Sequence, residues 1–322
     1  MSKLGIPYMG SKRKLAPKIL DKIIQDNPNT KYVYDLFGGG GSISFEVLQR
    51  NEIQNIYYNE FNKGIVELLK KIKEEGVTKE FYKWVSREEF LKYKDTDDWY
   101  GGLLKSCWSF GNNQKGYMYS KDIEGDKHLL HNIVVNQCTK SLETLNKKYD
   151  INVSIPIEDT INERRLSFQK TFKKYKDNKE LHKIVNLQCN CSRNLSQHLE
   201  RIQHLERIQH LENLGVLDLK NLNITNLSYE DVEINTPIEN TIIYLDPPYK
   251  DTATYQKDID HNKLKEYIHN SPYTIYVSGY ENVYDLELVL EIKHNTKFSS
   301  KSNNKIIERL YVHNKREYID EW

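Results

Sequence analysis

No apolar run in the 322 residues approaches the roughly 18 needed to cross a bilayer. The opening Met1-Ser2-Lys3-Leu4-Gly5 also lacks the charged, apolar, small-residue order of an export signal. The chain therefore reads as soluble and not exported. Cysteine is scarce: the four residues, at 107, 138, 189 and 191, read as reduced thiols of a cytoplasmic protein rather than a disulfide framework. Charge of one sign is missing too. With 47 Lys and Arg against 46 Asp and Glu, nothing draws the whole molecule to a polyanion, so any nucleic-acid surface must be local. Apolar residues are sparse, at 38%, but 23 tyrosines restore much of the packing area, since a ring with a polar tip still packs. The length suits one large domain, or a core domain carrying a smaller lobe.

What is present has an α/β rhythm. Lys31 to Leu36 predicts a short buried strand running into Phe37 and four consecutive glycines, after which Ser42 to Arg50 has a helical pattern. A second strand, Asn55 to Tyr58, ends in Asn59-Glu60-Phe61-Asn62 and precedes a helix marked by Ile65, Leu68, Leu69 and Ile72. This β-α-β-α order predicts a Rossmann-like, mostly parallel sheet with crossover helices. Strand signals return at Thr241 to Leu245 and Tyr273 to Val277, rich in β-branched and aromatic residues, so the sheet is drawn from both ends of the chain. Between them residues 86–195 are polar, aromatic and charged, as expected of a mainly helical insert. The expected layout is a catalytic domain at 1–85 and 212–322, the insert at 86–195 and a connecting helix at 196–211.

That connecting stretch carries a repeat: from His198 to Glu212 the hexapeptide His-Leu-Glu-Arg-Ile-Gln occurs twice and begins a third time. Leu211, Leu214, Leu217, Leu219 and Leu222 mimic one leucine-rich repeat, but a single such unit cannot bury its own face. Apolar positions spaced by three fall about 60° behind one another on an α-helix, so the stripe spirals. In a continuous helix, deleting one unit would rotate the downstream face by about 120°.

Asp35-Leu36-Phe37-Gly38-Gly39-Gly40-Gly41-Ser42 sits where this fold places a cofactor: beyond the carboxyl end of a strand, against a helix N-terminus. The glycines do not fit the G-x-G-x-x-G frame, which disfavours a nicotinamide dinucleotide. Glu60, at the end of the next strand, is placed to accept hydrogen bonds from two ribose hydroxyls. Asp246-Pro247-Pro248-Tyr249 follows the strand Thr241 to Leu245 and so emerges at the same sheet edge. An aryl amine is a poor nucleophile because its lone pair is delocalised into the ring. The Asp246 carboxylate and the Pro247 carbonyl can both accept hydrogen bonds from such an amine, favouring a pyramidal nitrogen that attacks directly, without a covalent enzyme intermediate. The two prolines restrict the backbone that presents these acceptors, and Tyr249 offers a ring for stacking. A base with its amine inside a duplex must flip out to reach such a loop.

With Pro7-Tyr8-Met9-Gly10-Ser11-Lys12, Asp35 to Ser42, Asn59-Glu60, Asp246 to Tyr249 and Val277-Ser278-Gly279-Tyr280, the chain resembles the Dam-type adenine-specific DNA methyltransferases over nearly its whole length, as a phage-like member. The resemblance implies S-adenosylmethionine as cofactor and double-stranded DNA as substrate. Tyr8, Lys12, Glu60 and Asp246 would contact the cofactor, while Phe37 and the glycines, Gly38 and Gly40 among them, shape the pocket with Asp35 and Ser42. Asn226-Leu227-Ser228-Tyr229 resembles the segment lining the cofactor adenine. The expected setting is a monomer or weak dimer in the cytoplasm of a bacterium or phage-infected cell, with no obligate metal and no membrane. The insert would be the target-recognition domain, and its sequence departs from the better-known Dam pattern.

Within the insert, Arg164, Arg165, Lys170, Lys173, Lys174 and Lys176 alternate with Phe168, Phe172 and Tyr175, a composition that suits phosphates and bases and equally a solvated helix face. Trp108 to Tyr117 is a second candidate: the amides of Asn112 and Asn113 can read adenine edges, Lys115 can meet a phosphate, and Gly-flanked aromatics can wedge into a duplex. Zinc is disfavoured. Cys189-x-Cys191 lacks the usual gap, and His198, His204 and His210, six apart, point about 120° from one another on a helix. Methylation of an amine in RNA, a nucleoside or protein glutamine, or a catalytically dead DNA-binding relative, are the competing readings.

Overall fold

Strand sequences that are apolar on both faces set the architecture. The computed structural model describes residues 4–50, 52–175, 201–248, 259–295 and 305–314. Its seven strands, β1 (Tyr32–Asp35), β2 (Asn55–Asn59), β3 (Leu222–Thr225), β4 (Thr241–Leu245), β5 (Thr274–Gly279), β6 (Glu287–Asn295) and β7 (Lys305–His313), form one sheet of order β3-β2-β1-β4-β5-β7-β6. The first five are parallel, while β7 runs antiparallel to both β5 and β6. Successive residues of β4 and β5 feed opposite cores: Ile242, Tyr244 and Tyr276 join one cluster, and Ile243, Leu245, Ile275 and Val277 the other. Burial on both faces explains why these strands read as continuous apolar runs rather than alternating ones.

On the first face pack α1 (Ala16–Asp26), α2 (Ser42–Val47) and α3 (Lys63–Glu75); Leu264 and Ile268 of α10 (His261–Asn270) cover the second. The remaining helices are α4 (Arg87–Tyr93), α5 (Trp99–Cys107), α6 (Lys121–Asn136), α7 (Thr139–Tyr149), α8 (Ile161–Tyr175) and α9 (Gln203–Gly215). α5 crosses α3 so closely that a Cβ on Gly102 would stand 2.0 Å from the Gly64 carbonyl oxygen. Through this crossing the first core runs on without a break to Trp108, Leu130 and Phe172, giving the polar segment a buried anchor against the sheet. Among the described residues no helix is long and apolar enough to cross a membrane.

The repeat forms α9, but the helix begins at Gln203, after a non-helical Ile202, so the connecting helix is shorter and later than 196–211. Its spiralling stripe, Leu205, Ile208, Leu211 and Leu214, is buried along its whole length because α3, α5 and α8 surround it. The expected rotation on losing one unit does not arise, since six residues could be taken from before the helix. Cys189, Cys191 and His198 lie outside the described residues. Both ring nitrogens of His204 are engaged, Nδ1 with Tyr119 Oη at 2.8 Å and Nε2 with His131 Nδ1 at 2.9 Å.

Candidate active site

The glycine loop is built around the end of β2. Gly38 N donates to the Asn59 carbonyl at 2.8 Å, and a Cβ on Gly38 would lie 2.2 Å from Tyr58 Cε2. That ring cannot swing away freely, because Tyr58 Oη donates to the Gly39 carbonyl at 2.7 Å. Ile6 N donates to the Gly40 carbonyl at 2.8 Å, which lays the N-terminal segment across the loop and carries Tyr8 and Lys12 inward. Ser11 Oγ and Ser42 Oγ, 3.0 Å apart, hold the far end of the same segment to the start of α2.

The residues expected around a cofactor come together. Tyr8, Lys12, Asp35, Phe37, Gly38, Gly40, Ser42, Glu60 and Asp246 all line one cavity of about 340 Å³, within the range of small-molecule sites. Leu227, Ser228 and Tyr229 line it too. Asn59 fixes that segment by donating through Nδ2 to the Leu227 carbonyl at 3.1 Å and accepting from Leu227 N at 3.0 Å. Phe37 and Tyr229 bring their ring centroids within 5.3 Å. Pro248 borders this cavity and also a second one of about 150 Å³, lined by Pro247, Val277 to Tyr280, Tyr284 and Tyr311. Tyr249 lies outside the described residues.

Acid dominates the electrostatics. Lys12, 5% exposed, places Nζ 2.9 Å from Asp246 Oδ1 and 3.4 Å from Glu308 Oε1. Burial alone would lower the ammonium's pKa, but the charges of Asp246 and Glu308 outweigh it and hold the proton well above the ordinary lysine value. Asp35 accepts from Ser44 Oγ at 2.7 Å. Burial, opposed by that bond and reinforced by Asp246 and Glu60, pushes its carboxyl up to about 7. Glu60 accepts from Gly39 N through Oε2 and from Asn62 N through Oε1, both at 2.8 Å. Burial still raises its pKa above the usual carboxylate value against those two bonds. Glu308 and Ser44 are the members that sequence reasoning missed. A glutamate between the apolar pair Ile306-Ile307 and the run Leu310 to Val312 of β7 was the available signal for the first.

The basic candidates in α8 divide. Arg164 is buried, donating from Nε to the Val134 carbonyl at 2.8 Å and from Nη1 to the carbonyls of Glu158 and Asp159. Arg165, also buried, donates to Asn162 Oδ1 at 2.6 Å and faces Glu206. Phe168 and Phe172 are core. These four are packed inside the helical lobe, where Arg164 spends three of its five N–H donors on carbonyls. Lys170 is exposed, while the side chains of Lys173, Lys174 and Tyr175, with Lys176, lie outside the described set. In the second candidate Trp108 is core, stacked on His204 at 4.1 Å, so it is no wedge. Asn113 Oδ1 closes the loop by accepting from Lys115 N and Gly116 N, and Lys115 is exposed beside it. Gln114, next to Asn112 and Asn113, lines the cavity.

A family model described as D12 class N6 adenine-specific DNA methyltransferase matches residues 8–318. Comparison with curated proteins gave no match.

Proposed function

Because that match spans most of its length, the chain belongs to the D12 class N6 adenine-specific DNA methyltransferases, and from this premise we propose that the cavity beside Asp246 holds S-adenosylmethionine while Asp246 and the Pro247 carbonyl receive the target amine. The observation that carries the reading is the charge of the cavity. Asp35, Glu60, Glu230, Asp246 and Asp260 line it against Lys12 and Lys263, and Lys12 is already engaged by Asp246 and Glu308. Such a wall disfavours a phosphate-bearing ligand and suits a cationic one that also carries hydroxyls.

When bound, S-adenosylmethionine supplies a methyl group on a cationic sulfur. Glu60 would accept from the ribose hydroxyls, since each carboxylate oxygen has a second lone-pair direction beyond its backbone bond. Phe37 and Tyr229 would enclose an adenine ring. Lys12 pairs with Asp246 and fixes its orientation, so that the carboxylate and the Pro247 carbonyl would accept the two amine hydrogens and hold the nitrogen pyramidal. The smaller cavity across Pro247 and Pro248 would receive the flipped base, with Tyr280, Tyr284 and Tyr311 in its wall for stacking.

Incubating unmethylated duplex DNA with methyl-labelled S-adenosylmethionine tests this. Label on adenine N6 is expected with the wild type and is expected to vanish with Asp246→Ala. An unlabelled wild-type reaction, or undiminished label with the variant, would overturn the assignment.

A further inference from the structure

Among the described residues of the inserted segment, Gln114 is the one that lines the cavity assigned above to the cofactor. It sits in a loop whose base is fixed. Ser109 and Tyr117 pair as an antiparallel bridge, Phe110 N donates to the Gly116 carbonyl at 2.7 Å, and Arg207 of α9 donates to the Ser109 carbonyl at 2.6 Å. The tip is contorted: Gly111, Asn112 and Gln114 take left-handed φ values of 56°, 61° and 61°. Asn and Gly enter that region readily, but glutamine is an uncommon occupant, and such strain marks a position held by something else. Here the holder is Asn62. Its Nδ2 donates to Gln114 Oε1 at 3.2 Å, while its backbone N–H donates to Glu60 Oε1. A chain of hydrogen bonds thus joins the loop tip to the carboxylate read above as the ribose acceptor. Two large apolar side chains next to members of this chain in sequence are more than half exposed, Phe61 beside Asn62 at 54% and Phe110 in the tip loop at 60%. Lys115 is exposed at the same tip.

We infer that Gln114 is a positioning residue that couples the two substrates: through Asn62 it ties the attitude of the Phe110–Lys115 tip to the state of Glu60, so that cofactor and DNA bind cooperatively. The inference rests on the reading of Glu60 and of the insert given above. Burial raises the pKa of Glu60 against its backbone hydrogen bonds, and a hydroxyl-bearing cationic ligand would favour its charged form. A firmer carboxylate draws Asn62 N–H toward it, and the same residue's side chain sets where Gln114 can stand. Because coupling is reciprocal, either ligand reports it.

S-adenosylhomocysteine is titrated by calorimetry with and without saturating amplified, unmethylated bacterial DNA, which presents every short target sequence. The wild type is expected to bind the probe on the order of tenfold more tightly with DNA present. In Gln114→Ala that ratio should fall to within about twofold of one, whatever happens to either binary affinity, as expected of a lost coupling. Gln114→Glu keeps the acceptor for Asn62 and should keep most of the ratio; Asn62→Ala should lose it, with no further loss when combined with Gln114→Ala. Gln114→Leu, close in volume, serves if the alanine variant folds poorly. A wild-type ratio of one, or an undiminished ratio in both Gln114→Ala and Gln114→Leu, would overturn the inference. Failure of the wild type to bind S-adenosylhomocysteine at all would instead overturn the functional reading on which it rests.

Discussion

Replacing Lys12 by methionine removes the charge at the centre of the site while keeping most of the side chain's length. Its ammonium stands 2.9 Å from Asp246 and 3.4 Å from Glu308. At an effective dielectric of about 20 those contacts are worth roughly 6 and 5 kcal/mol gross, against which stands a desolvation cost of several kcal/mol for each ion. The net expected on deleting the shared partner is about 3–5 kcal/mol, because both carboxylates lose the cation that pairs with them. Against a total of about 5–15 kcal/mol, the variant should fold but be visibly weaker. Urea unfolding of wild type, Lys12→Met, Glu308→Gln and the double variant, at pH 8 and pH 6, separates the causes. Adding Glu308→Gln to Lys12→Met should return about 1–2 kcal/mol, since one stranded charge disappears. The pH arm has a definite sign. The folded-state pKa of Lys12 is raised, so its contribution is fully present below the unfolded lysine value and is lost only as pH rises through the folded one; from pH 6 to 8 it adds no slope. Any change of the deficit between pH 6 and 8 would therefore have to come from groups other than Lys12. Costs of Lys12→Met and Glu308→Gln that add within about 0.5 kcal/mol would refute the cluster.

Three further outcomes follow from the geometry. Burial holds the Asp35 carboxyl protonated up to about 7, so between about pH 4 and 7 the folded chain keeps a proton the unfolded chain has released. Stability should therefore fall over that window, by no more than roughly 4 kcal/mol, and the neutral Asp35→Asn should flatten it; parallel melting-versus-pH curves for the two proteins would contradict this. Gly38→Ala drives a Cβ to 2.2 Å from a ring locked by its own hydroxyl and should cost about 1–3 kcal/mol, read as a lower melting temperature; a wild-type melt would mean the ring can turn aside. Deleting one His-Leu-Glu-Arg-Ile-Gln unit should leave α9 in register with identical residues from its first turn through position 212. The expected loss is the burial of Ile202 and the Arg201–Glu206 pair, about 2–5 kcal/mol in denaturant unfolding. Disappearance of the helical circular-dichroism signal would show the register is not held.

Much of this site was legible because its parts are punctuation. A run of glycines after Asp35 and two prolines after Asp246 mark strand ends, and strand ends of a parallel sheet share an edge, so cavity and loop could be set side by side from sequence alone. The insert was less legible for a physical reason. Arg164 and Arg165 look like phosphate ligands until the carbonyls of Val134, Glu158 and Asp159 are seen closing around one of them, and those partners come from different turns of chain. Glu308 was hidden because its partner Lys12 lies almost the whole sequence away and because β7 reaches the site only through antiparallel pairing with β5. β3 escaped notice since one of its four residues is buried, which leaves no periodicity to read.

The three-way contact of Lys12, Asp246 and Glu308 also sets a time at which the enzyme can come into being. During synthesis the glycine loop and its helix emerge early, and the Asp246 loop much later, yet the carboxylate that completes the lysine's surroundings belongs to β7, the last strand described. Until β7 slots in between β5 and β6, the ammonium lacks its contact with Glu308. A growing chain is therefore expected to carry the cavity before the Lys12–Asp246–Glu308 cluster is complete, and on the proposed assignment methylation should begin abruptly, with the final strand, rather than by degrees.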